Sequence, residues 1–181
     1  MRTYPDQRPV ESNDTFLFNS IGMKKDKELF FFFKITDVAA FKSKLGTDIH
    51  DRITSTTKLL DCATQPDTAV NIAFSQSGLT TLGVTDDLLD SNFSGGQLKD
   101  AGVLGDPGTE NWVPGFVGTN VHGVLLLASS TQSNIDYELK SIQTALDGSI
   151  TEIHRLQGAA RPGDQNGHER EYEMFQYRMS L

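Results

Sequence analysis

The sequence predicts an α+β fold, a ferredoxin-like βαββαβ domain with an antiparallel sheet, helices on one face and a long irregular insertion. Two observations lead there. A strand-like apolar run, then apolar residues at helical spacing, then a second strand-like run occurs twice, with a stretch rich in Gly, Asp, Ser and Asn between the two occurrences. A length of 181 residues and a hydrophobic content of 37% suit one domain with a continuous core.

The first strand is expected over Leu29–Ile35, where four phenylalanines make a nearly unbroken apolar run suited to burial on both faces or under helices. Thr36 or Asp37 can cap a helix in which Val38, Phe41 and Leu45 share a face, and Gly46 is expected to end it. A second helical stretch is expected within Ile49–Leu60, a strand at Val70–Phe74, and a short helix after Ser75 through Leu79, Leu82 and Val84. The insertion runs over about 86–120, with Leu98, Val103, Leu104, Trp112, Val113, Phe116 and Val117 as its expected buried anchors. A connection of that length usually has a functional reason. Strand signal returns at Val121–Ala128. Ser130 or Thr131 can cap a helix with Ile135, Leu139, Ile142 and Leu146 on one face, closed by Gly148. A last strand, Ile150–Leu156, precedes a Gly- and Pro-containing stretch from Gly158 to Gly167. The chain thus divides into an arm (1–20), the domain (21–170) and a tail (171–181). The sheet face without helices needs a cover of its own.

Composition excludes several classes of function. A net charge of −8 repels a phosphate backbone, and no basic stripe with interleaved aromatics offsets it, so no nucleic-acid partner is expected. The longest apolar runs, Leu29–Phe33 and Val124–Ala128, fall far short of the ~20 residues of a membrane span. Cys62 is the single cysteine and reads as a small buried residue. His50, His122, His154 and His168 show no paired metal-site spacing and read as structural. His168, Glu169 and Asp164 form the tightest polar group, in a Gly-rich segment suited to turn hydrogen bonds. Asp86, Asp87 and Asp90 lack the glycine and terminal glutamate of a calcium loop. Neither a nucleophile elbow nor a histidine near Cys62 in sequence supports covalent catalysis. Asn13 and Asn92 open glycosylation sequons, which point weakly to secretion.

Five segments carry a resemblance: GMKKDKELFFFFKITDVAAFKSKL (22–45), VNIAFSQSGLTTLGVTDDLLD (70–90), LGDPG (104–108), FVGTNVHGVLLLASS (116–130) and LQGAARPGDQNGHE (156–169). In order, spacing and wording they resemble the N-terminal domain of fungal dye-decolorizing peroxidases over about 20–169. The resemblance implies a ferredoxin-like domain and descent from a secreted haem enzyme. In that family a Gly-His-Glu stretch runs into a Gly-x-x-Asp-Gly motif whose aspartate works the peroxide proton. Here Gly167-His168-Glu169 continues so that Phe175 and Gln176 stand in the Asp-Gly place, and Leu181 precedes the second domain that supplies the axial histidine and distal arginine. The resemblance therefore implies a non-catalytic chain without a cofactor. It is most similar in kind to the small subunit of a fungal heterodimeric laccase, a secreted accessory protein that binds and stabilises a large multicopper oxidase. A fragment or splice form of a haem peroxidase and a free-standing ligand-binding domain are the alternatives. Trp112 and Phe116 in the insertion, and Tyr172, Met174, Phe175 and Tyr177 in the apolar tail, are the expected partner contacts.

Overall fold

The structure is a computed structural model that describes residues 25–60, 65–118, 120–160 and 172–173. Strand β1 (Lys27–Ile35) alternates as strand geometry requires: Leu29, Phe31, Phe33 and Ile35 are buried on one face, and Phe30 and Phe32 are half-buried on the other. Asp37 caps α1 (Val38–Lys44) by accepting a hydrogen bond from the Ala40 amide at 2.9 Å, and Phe41 is its buried residue. Gly46 does not end the helical path. The chain continues through one π turn (Leu45–Ile49) and a 3₁₀ turn (His50–Arg52), which buries Ile49 in the core. Arg52 ties this segment to a later helix through Glu138 Oε1 and Ser141 Oγ, both at 2.9 Å.

After α2 (Thr56–Leu60) comes β2 (Thr68–Phe74), an edge strand. Its free side is partly closed by Thr54, whose amide donates to Val70 O and whose hydroxyl accepts from the Val70 amide. Helix α3 (Gln76–Thr81) is capped by Ser75. The insertion is less irregular than expected, because it contains α4 (Ser91–Asp100), kinked at Gly96, and a 3₁₀ turn at Pro114–Phe116.

Strand β3 (Gly123–Ser129) and helix α5 (Gln132–Ala145) follow. Thr131 caps α5, Ile135, Leu139 and Ile142 are buried along it, and Gly148 turns the chain at positive φ. Strand β4 runs over Ile150–Ala160, longer than expected, so Gly158 lies inside a strand and not in a loop. The strand pairs with β1 from Ile150 opposite Ile35 to Ala159 opposite Lys27, interrupted at Ile153. Residues Tyr172–Glu173 form β5, whose backbone pairs with Ala159 and Ala160. The sheet order is β2-β3-β1-β4-β5, antiparallel at every pairing. The first four strands thus show the ferredoxin-like arrangement. On the helix side, Phe33, Phe41 and Phe74 meet at ring separations of 5.8 to 6.4 Å, surrounded by Leu125, Leu127, Ile135, Ile142 and Leu146.

Candidate functional site

The sheet face away from α1 and α5 is the candidate site, and strand register arranges it in rows. Asn71, Leu126, Phe30 and Leu156 lie abreast across β2, β3, β1 and β4. On one side of that row stand Ala73, Val124, Phe32 and His154, and on the other Ala69, Ala128, Glu28 and Gly158. Leu59 of α2 packs over Ala69 and Ala128, closing one end. At the other end Phe116 sets its ring edge-on to Phe32 (centroids 4.8 Å apart) and against His154 (5.3 Å). A β-bulge helps this contact: register shifts between Phe32 and Phe33, leaving Ile153 unpaired beside His154. The backbone of Gly115 approaches Ile153 so closely that a Cβ there would lie 3.0 Å from Ile153 Cγ2.

Between the two covered ends the middle row keeps Phe30, Leu126 and Leu156 half-buried, a mostly apolar strip flanked by two polar groups. Burial pushes the Glu28 carboxyl above its ordinary range. Asn71 is 3% exposed and its Oδ1 has no hydrogen-bond partner. On the opposite face Arg155 donates to both Glu152 oxygens, at 2.7 and 2.6 Å, and this hydrogen bonding holds Glu152 below the usual carboxylate range. Such an arrangement can bind an apolar surface. The described residues contain no group of three or more His, Cys, Asp or Glu side chains placed to hold a metal.

The sequence-predicted residues fall in several places. Phe116 anchors the insertion on the sheet face, and half-buried Trp112 is held inside the insertion by a 2.9 Å bond from Nε1 to Asp106 Oδ2. The expected burial of Leu98, Val103, Leu104, Val113 and Val117 is corrected: all are exposed, Val103 to 89% and Leu104 to 73%, because the insertion folds as a surface excursion with few contacts to the sheet. Asn92 is exposed, in the first turn of α4 and not in an irregular loop. Asp90 spends its carboxylate on the Asn92 and Phe93 amides, and Asp87 bonds the Leu89 amide. His50 is exposed beside Asp51, His154 lies under Phe116, and His122 is buried where the insertion returns to the sheet. The backbone of Tyr172 extends the sheet. Asn13, Cys62, Asp164, His168, Glu169, Met174, Phe175 and Tyr177 lie outside the described residues. Sequence reasoning missed Asn71 and Glu28, since neither breaks the alternation of its strand.

A family model described as the DyP dimeric alpha+beta barrel domain matches residues 20–162. The chain is 69% identical over 150 residues to dye-decolorizing peroxidase msp1 of Mycetinis scorodonius, a match covering 82% of this chain and 29% of that relative. It is 59% identical over 149 residues to a dye-decolorizing peroxidase of Mycena epipterygia, covering 82% and 28%. The crystal structure of a fungal DyP-type peroxidase from Auricularia auricula-judae superposes with a TM-score of 0.77 at 47% identity, over 84% of this chain and 34% of that one. The chain therefore spans less than a third of the length of these curated relatives.

Proposed function

This chain belongs to the DyP dimeric alpha+beta barrel domain family, and from that membership we propose that it is the N-terminal half-barrel of a haem-dependent dye-decolorizing peroxidase, a scaffold that presents the sheet face away from α1 and α5 to a second α+β half. One observation carries the reading: the middle row of that face, with Leu126, Phe30 and Leu156 abreast and half-buried, is framed by Leu59 and Phe116 like the inner wall of a sandwich. Sheet-on-sheet packing buries alternate residues on both faces of each strand, which accounts for the unbroken run from Leu29 to Phe33.

The described residues do not fit a haem by themselves. His122 Nδ1 already accepts the Ile35 amide, His50 is exposed at a 3₁₀ turn, and His154 is packed against Phe116. We therefore assign this domain the role of shaping and closing the barrel. The M. scorodonius, M. epipterygia and A. auricula-judae relatives are all peroxidases, which favours this reading over that of an accessory subunit of a multicopper oxidase. The two are separated by offering the chain two partners, the remainder of the M. scorodonius peroxidase and a multicopper oxidase. A 1:1 complex with the peroxidase remainder that retains haem and oxidises dye with peroxide supports the proposal. Co-elution with the oxidase alone, or haem-dependent turnover by this chain alone, overturns it.

A further inference from the structure

We propose that His122 is an acid-operated latch that holds the returning end of the insertion to the sheet. Three consecutive residues at the end of β1 grip that segment: Lys34 Nζ donates to Asn120 Oδ1 at 3.1 Å, the His122 amide donates to Phe33 O at 2.9 Å, and the Ile35 amide donates to His122 Nδ1 at 3.2 Å. The start of α3 grips it from the other side. Ser75 donates its amide to His122 O at 3.1 Å and its hydroxyl to Val121 O at 2.6 Å. Gly78 lies so close that any Cβ there would collide with the His122 carbonyl. The junction is thus a built knot of backbone and side-chain bonds, with His122 only 8% exposed at its centre.

One of these bonds is gated by a proton. A backbone amide can only donate, so Nδ1 must be bare and the ring neutral, with its hydrogen on Nε2. Protonation of Nδ1 would set one N–H against another inside the knot. Among the described residues, no carboxylate compensates. The charged group facing the ring is Lys34 of β1, itself a cation, and β2, β3 and α3, which pack around the junction, contain no charged residue. Burial and then Lys34 both hold the imidazole below its ordinary value of about 6.5. The open or unfolded junction therefore binds the proton more readily than the closed one. The latch is closed at full strength above about pH 6.5, and its opening constant rises by up to about tenfold per pH unit below that, until the folded-state value is reached. Opening loosens the segment that carries Phe116, the cover over Phe32 and His154.

Amide hydrogen exchange reads this directly. With intrinsic exchange corrected for pH, protection of Ile35 and His122 should be flat from about pH 7.5 to 6.5 and fall below it, whereas Phe31, in the same strand, should hold. A His122→Asn variant keeps an acceptor that no proton in this range can block, and its Ile35 protection should not depend on pH. Flat protection of Ile35 in the parent chain down to about pH 5, or unchanged pH dependence in His122→Asn, overturns the latch. Should that variant fail to fold, the ring ¹⁵N shifts of the parent decide. An Nε2–H tautomer titrating below about 6.5 sustains the proposal, and titration at or above that value refutes it.

Discussion

At the scale of single residues, the two faces of β1 make opposite demands. Phe31 is 1% exposed on the helix side, so Phe31→Ala should cost about 3–5 kcal/mol through lost burial and a residual cavity, read from the denaturant midpoint. A cost below about 1 kcal/mol would contradict its placement. Glu28 faces the other way, where burial raises its pKa, so the fold is penalised as pH rises from the ordinary carboxylate value toward the raised one. Glu28→Gln should therefore raise the melting temperature at about pH 7 and leave it nearly unchanged at about pH 4. A lower melting temperature at neutral pH would mean that Glu28 has a stabilising partner. The strand at Leu29–Ile35 is readable from the sequence as an apolar run, but the split that sets Phe31 and Glu28 on opposite faces is not. The bond between His122 and the Ile35 amide, 87 positions apart, leaves no periodic trace, and the residue reads as one structural histidine among four.

At the scale of elements, stability should follow what each helix buries. Helix α5 packs Ile135, Leu139 and Ile142 into the core behind its Thr131 cap, so Thr131→Ala should lower global stability by about 1 kcal/mol. Helix α4 buries none of its own residues, and Asp90→Ala should remove its helical signal while leaving the global denaturation midpoint in place. The reverse pattern, measured by denaturant unfolding with exchange on α4, would contradict this division. The helix at α5 was legible because its apolar face repeats at helical spacing and a cap precedes it. The burial expected of Val103 and Leu104 rested on hydrophobicity without periodicity, and both stand in solvent. The sequence places the end of β4 at Leu156, short of the observed Ala160, because Gly158 and Ala159 carry no strand signal. They are held there by pairing with Glu28 and Lys27 of a strand far earlier in the chain.

At the scale of the whole molecule, the ferredoxin-like order could be read from the repeated strand–helix–strand pattern, and so could the need for a cover on the open face. Which residues form that face could not, because it depends on register between β1, β2, β3 and β4 and on a bulge at Ile153. The proposed function requires this face to dock a second α+β half. Its most direct test is the dissociation constant between this chain and the remainder of the M. scorodonius peroxidase, measured for the parent chain and for two variants whose fold is verified by circular dichroism. Leu156→Asp places a charge in the middle row of the face, and Val103→Asp places one on the exposed insertion. Leu156→Asp should weaken binding by at least about tenfold, or about 1.4 kcal/mol, while Val103→Asp should leave it within about twofold of the parent. Equal affinities for Leu156→Asp and the parent chain, or a loss confined to Val103→Asp, would contradict it.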